Sequence, residues 1–129
     1  MHVHETVLYA SDVTGAATFY RDALGLRAIS PPDDHAAAFR LDGDGVLLIF
    51  DPDRSSAPGR YVPSHGAHGQ GHVAFSVVPG GLESAIAQLA DNGVAIEREI
   101  TWPLGGRSVY VRDPAGNSVE LIEGDIWEP

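Results

Sequence analysis

Apolar positions change period in the same order twice along the chain. Residues 4–10 carry the β-formers Thr6, Val7 and Tyr9 and read as a strand. Asp12 is placed to cap a helix in which Val13, Ala16, Ala17, Tyr20 and Leu24 fall at helical spacing, and Gly25 stops it. Strands are predicted at 26–30, 35–41 and 45–50, punctuated by Pro31-Pro32-Asp33-Asp34 and Asp42-Gly43-Asp44-Gly45. The order then returns. A strand at 72–78 is followed by a helix at 81–92, with Leu82, Ala85, Ile86 and Leu89 on one face and Gly93 as its stop. Strands at 94–99, 107–112 and 118–122 complete the second set.

Between the two sets, residues 51–70 are rich in proline, glycine and serine, which marks a lid, a binding loop or a crossing between modules. The repeat is also visible in the wording. Glu5-Thr6-Val7-Leu8 matches His72-Val73-Ala74-Phe75 at an offset of 67, and Gly25-Leu26 matches Gly93-Val94 at 68. The stretch Gly43 to Ile49 matches Gly116 to Ile122 at 73. The expected architecture is α+β: two tandem βαβββ modules paired to form a cleft, within one domain spanning 1–129. Module 1 covers about 1–51, the connecting loop about 52–70, module 2 about 71–124 and a tail 125–129. Each module alone has a marginal core, and pairing buries more of it.

Composition narrows the function. A net charge of -10 argues against a nucleic-acid backbone as partner. No apolar run approaches the length of a membrane span. The start, MHVHETVLYASD, lacks the basic and apolar regions of a signal peptide, so a cytoplasmic location is the expectation. Cysteine is absent, so a metal must be held by histidine, carboxylate, carbonyl or water.

The repeat sets Glu5 beside His72 and Leu47 beside Glu120 as equivalent positions. Packing about a pseudo-twofold axis would bring them into the cleft. Glu5, His72 and Glu120 then form a two-carboxylate, one-imidazole set suited to one divalent ion, Zn, Mn, Fe, Ni or Co, with positions left for water and substrate. Taken singly, a glutamate on a strand ordinarily faces water, and a histidine opening a strand is ordinarily structural. Glu120, inside Val119-Glu120-Leu121-Ile122, is the exception, because a buried carboxylate needs a partner. His4 neighbours Glu5, but strand alternation turns it to the other face.

Ser11-Asp12 with Phe19-Tyr20-Arg21-Asp22-Ala23-Leu24-Gly25-Leu26, then Gly71-His72-Val73-Ala74-Phe75, then Asp113-Pro114-Ala115-Gly116-Asn117-Ser118-Val119-Glu120-Leu121 carry a family resemblance. Together they resemble the vicinal oxygen chelate superfamily, which includes glyoxalases, bleomycin resistance proteins and extradiol dioxygenases. The resemblance implies paired βαβββ modules, a homodimer, and metal ligands at Glu5, His72 and Glu120. The fourth ligand position of glyoxalase I falls on Leu47, which cannot bind metal. Glu5 stands where the iron dioxygenases place a histidine.

A metal-dependent lyase or isomerase acting on a small oxygenated substrate is therefore the expected function, ahead of an extradiol-type dioxygenase. Glu120, with His65 of the glycine-rich run 64–72, is the candidate for proton transfer. Tyr9, Arg107 and Tyr110 are candidates for substrate contact. The rival expectation is a metal-free binder of a cationic drug, compatible with the acidic chain.

Overall fold

The protein's structure, a computed structural model, describes residues 1–129. In chain order it runs β1 (Glu5–Tyr9), α1 (Val13–Thr18), β2 (Arg27–Ala28), β3 (Ala36–Arg40), β4 (Val46–Phe50), α2 (Pro52–Ser55), β5 (His72–Ser76), α3 (Leu82–Asp91), β6 (Arg98–Thr101), β7 (Arg107–Arg112) and β8 (Ser118–Glu123). Two four-stranded sheets result, ordered β1-β4-β3-β2 and β5-β8-β7-β6. Each is a βαβββ unit in which the first strand pairs parallel with the last.

Alternation gives each sheet a closed and an open face. Leu8, Leu47 and Ile49 of the first sheet, and Val109, Val111, Val119 and Leu121 of the second, point to the helices. They join Val13, Tyr20, Leu82 and Leu89 in one core cluster of 18 residues drawn from both modules. The other faces stay open, and in β5 each second residue is exposed. A compact monomer of 13.7 kDa should expose about 6,600 Å². This chain exposes 7780 Å².

Several elements differ from the sequence expectation, each for a local reason. The first helix is α-helical only to Thr18, and Phe19–Ala23 form a π-helical turn closed by Leu24 N donating to Phe19 O at 3.3 Å. Leu26 N is spent on Tyr20 O, which shortens the strand expected at 26–30 to β2. Val94 N caps the end of α3 by donating to Leu89 O, so the strand expected at 94–99 begins only at Arg98. The connecting segment is not loop throughout. Asp51 caps the short α2 through Asp53 N, with Pro52 in its first turn.

The last-strand offset is also corrected. Glu5 pairs with Val46 and Val7 with Leu48, while His72 pairs with Ser118 and Ala74 with Glu120. The equivalent of Glu120 is therefore Leu48, at an offset of 72, and Leu47 is a fully buried core residue. Leu48 cannot bind metal either.

The run Asp113 to Asn117 knits the modules together. The Asp113 carboxylate accepts from Tyr20 Oη at 2.7 Å, Asn117 Nδ2 at 2.9 Å, and the backbone N–H groups of Ala115 and Asn117 at 2.9 Å. Asn117 also donates to Tyr9 O at 3.1 Å and accepts from Gly71 N at 2.7 Å. Gly71 is required by this close approach: a Cβ there would lie 3.0 Å from Leu8 Cδ2 and 3.2 Å from Asn117 Oδ1.

Burial, then the Asp113 charge and hydrogen bond, hold the Tyr20 phenol above its ordinary pKa. Its folded pKa exceeds the unfolded value of about 10, so its contribution is intact below that pH. Above it the unfolded chain releases a proton that the folded chain keeps. Stability should then fall by about 1.4 kcal/mol per pH unit. Tyr110 shifts in the same direction, so the Tyr20 share is the difference between wild type and Tyr20→Phe in urea titrations at pH 10 to 11. Equal slopes for the two proteins would refute it.

Candidate metal centre on an open sheet face

Glu120 sits mid-strand in β8 on the open face of the second sheet, yet is only 5% exposed. Its carboxylate is divided between two neighbours. Tyr110, opposite it on β7, donates its hydroxyl to Oε1 at 2.9 Å. His72, at the start of β5, brings Nε2 to 3.4 Å from Oε2. The His72 ring is stacked beside Tyr110, with centroids 6.4 Å apart.

The other imidazole nitrogen decides what this pair is suited to hold. His72 Nδ1 lies 3.1 Å from Ser118 O, and a carbonyl only accepts, so Nδ1 carries the proton. In the neutral ring Nε2 then presents a bare lone pair toward Glu120 Oε2. A second ring nitrogen bound to a carbonyl is the usual support of a metal-ligating histidine. A separation of 3.4 Å also matches the edge of a tetrahedron whose metal–ligand bonds are about 2.0–2.1 Å. The donors present therefore fit a divalent ion.

Burial, then hydrogen bonding to Glu120 and its charge, raise the Tyr110 phenol pKa. Tyr110 thus stays a donor across the physiological range and leaves Oε2 as the free ligand atom. Tyr110→Phe should weaken divalent-metal binding by about 10–100-fold with the fold intact. Calorimetric titration with Mn²⁺ checks this, and unchanged affinity would remove Tyr110 from the site.

Glu5 is not brought to this pair within the chain. Glu5, His72 and Glu120 do not form a cluster of donor atoms within 4.8 Å. The seam explains why: Asn117 fastens Gly71, beside His72, to the Tyr9 end of β1. Glu5 lies four residues away along that strand, about 13 Å. It is exposed on the open face of the first sheet.

Tyr9 shares that face, at its far end, where its hydroxyl lies 2.7 Å from His65 Nδ1. His65 packs edge-on to Phe50 and is anchored by its N–H to Ser55 O. The same 13 Å places His65 beyond proton-transfer range of Glu5.

Arg107 lies on the helix side of β7 in line with Val109 and Val111, and donates to Glu83 of α3 at 2.8 Å. That corrects its expected place in the cleft. An open-face cation is instead Arg98, paired with Tyr110 in register and bordering a shallow cavity of about 340 Å³ with Tyr110, Arg112 and Ser118. The expected strand at 94–99 already contained Arg98, and the register of β6 against β7 is what sets it opposite Tyr110.

Comparison with known families agrees with this architecture. The model of the Glyoxalase/Bleomycin resistance protein/Dioxygenase superfamily matches residues 2–121. The chain belongs to this superfamily. A lactoylglutathione lyase from Agrobacterium tumefaciens is similar to this glyoxalase-superfamily chain at 38% identity and a TM-score of 0.90, over 99% of this chain and 97% of that one. A glyoxalase/bleomycin resistance protein from Catenulispora acidiphila shares the fold at 21% identity and a TM-score of 0.70, over 96% and 100%. The oxidase ChaP-H2 shares it at 22% and 0.72, over 97% and 94%. Comparison with curated proteins gave no match. The superfamily contains enzymes and commonly uses a divalent metal and small-molecule substrates. No helix of this member is long and apolar enough to cross a membrane.

Proposed function

We propose that the protein is a metal-dependent lyase or isomerase acting on a small oxygenated substrate, working as a homodimer. In this reading His72 and Glu120 of one copy and Glu5 of the other hold one divalent ion. The observation that carries it is the His72–Glu120 pair, in which His72 Nδ1 lies against Ser118 O at 3.1 Å and Nε2 faces the buried Glu120 carboxylate at 3.4 Å. The 38% identity to a lactoylglutathione lyase supports lyase chemistry over oxidation. About 1,200 Å² of surface beyond that of a compact monomer of this size supports a second copy on the open faces.

The bound ion would supply Lewis-acid polarisation of neighbouring substrate oxygens. The chain's residues do the rest. Tyr110 orients Glu120, and the Glu120 carboxylate takes a proton from a substrate carbon and returns it to the neighbouring one. That transfer is redox-neutral. Arg98 sits where it can hold an anionic group of the substrate. Tyr9 and His65 meet the end of the substrate far from the ion.

The competing reading, a metal-free binder, draws on Leu48, an apolar residue at the position equivalent to Glu120. Mixing chains separates a shared site from one within a chain. Neither Glu5→Ala nor His72→Ala alone should hold metal at the shared site. Co-expressed, they should recover about one ion per mixed dimer, because one of its two sites is then intact. Recovery of lactoylglutathione formation in the same sample would support the lyase assignment. No more metal in the mixture than in either variant alone contradicts the shared site.

A further inference from the structure

A second cluster of donor atoms lies outside the open-face site. His2, His4 and Asp44 each present one atom, all within 4.8 Å of one another. His2 Nε2 is 3.3 Å from Asp44 Oδ1, and His4 Nδ1 is 3.6 Å from Asp44 Oδ2. The two imidazoles thus approach different oxygens of one carboxylate. Both separations exceed the roughly 2.7–2.9 Å of a good charge-assisted hydrogen bond. The His2 Nε2–Asp44 Oδ1 separation of 3.3 Å is that of the ligand–ligand edge of a tetrahedron around Zn²⁺, whose bonds to nitrogen and carboxylate oxygen are about 2.0–2.2 Å. The rings meet at 63° with centroids 6.4 Å apart, so neither covers the other's nitrogen.

The backbone holds two of the three in place. His4 O accepts from Val46 N at 2.9 Å, which pins the chain just ahead of β1 to the start of β4. Asp44 stands in the β3–β4 turn, where Gly43 adopts a φ of 74° and Arg40 donates to Asp44 O at 3.0 Å. His2 completes the set from two residues ahead of His4. Being exposed, all three keep water available for a fourth coordination position.

We propose that His2, His4 and Asp44 form a second, structural divalent-metal site that clamps the segment ahead of β1 to the β3–β4 turn. Two imidazoles and a carboxylate favour Zn²⁺, Ni²⁺ or Cu²⁺ over Mg²⁺ or Ca²⁺. His4 precedes Glu5, so an ion here also steadies the strand end from which Glu5 projects. The site does not depend on the proposed function.

The test uses untagged full-length protein carrying His72→Gln and Glu120→Gln, so that the open-face pair is silent, titrated with Zn²⁺ by calorimetry. One Zn²⁺ per chain is expected. Adding Asp44→Asn, or separately His4→Gln, should weaken binding by about tenfold or more. Circular dichroism confirms that each variant is folded. No binding above buffer, or binding indifferent to either substitution, overturns the proposal. Failure of the open-face site instead shows as wild-type protein binding no more metal than the His72→Gln/Glu120→Gln variant.

Discussion

Asp113→Ala is expected to be the most destabilising single substitution in the chain, by about 3–5 kcal/mol. Four donors converge on that one carboxylate, from Tyr20, Ala115 and twice from Asn117. Tyr20 and Asn117 are at most 1% exposed, so their polar groups gain no water when the carboxylate goes. The loss also reaches the seam, because Asn117 joins Tyr9 and Gly71. Against a total stability of about 5–15 kcal/mol, this is a large share. The melting temperature should drop by about 10 °C or more. Tyr20→Phe removes one of the four donors and should cost only about 1–2 kcal/mol. Calorimetry on the two variants checks the order, and a near-neutral Asp113→Ala would show that the modules are held by apolar packing alone.

Glu120→Ala should have the opposite profile: metal binding at the open-face site weakened by a factor of about 100 or more, with the melting temperature of metal-free protein little changed. The carboxylate is both the most buried of the three proposed ligands and the one oriented by Tyr110. Its loss leaves His72 as a single exposed imidazole, which holds a divalent ion weakly. The fold is spared because Tyr110 and His72 are partly open to water, so the released hydroxyl and imidazole are solvated. Metal titration and thermal melts of the same preparation separate the two effects. Full metal binding by Glu120→Ala would place the ion elsewhere.

Much of this was legible in the sequence. The doubled order of strands, the glycine stops after each helix and the α+β two-module fold follow from periodicity and turn chemistry. The pairing of His72 with Glu120 was expected from the repeat, because a carboxylate inside Val119-Glu120-Leu121-Ile122 needs a partner. What escaped depends on tertiary contacts. Thr18 to Leu24 keep helical spacing, and only the Phe19–Leu24 bond reveals a π-helical turn. Val94 and Ile96 look like strand residues but pack partly on the core beyond the cap of α3. The one-residue slip between Leu47 and Leu48 needed pairing registers, since word matching tolerates a shift that strand alternation does not. The distance of Glu5 from His72 is set by Asn117, which the sequence offered only as part of a turn.

The most direct measurement is the metal content of untagged wild-type protein by mass spectrometry, taken with its native mass. A dimer in which each wild-type chain carries about one transition-metal ion more than Glu120→Ala, which keeps only the His2–His4–Asp44 site, is the expected result. A chain that carries no metal and takes up none of Mn²⁺, Fe²⁺, Ni²⁺ or Zn²⁺ would contradict the metal centre and favour the metal-free binder.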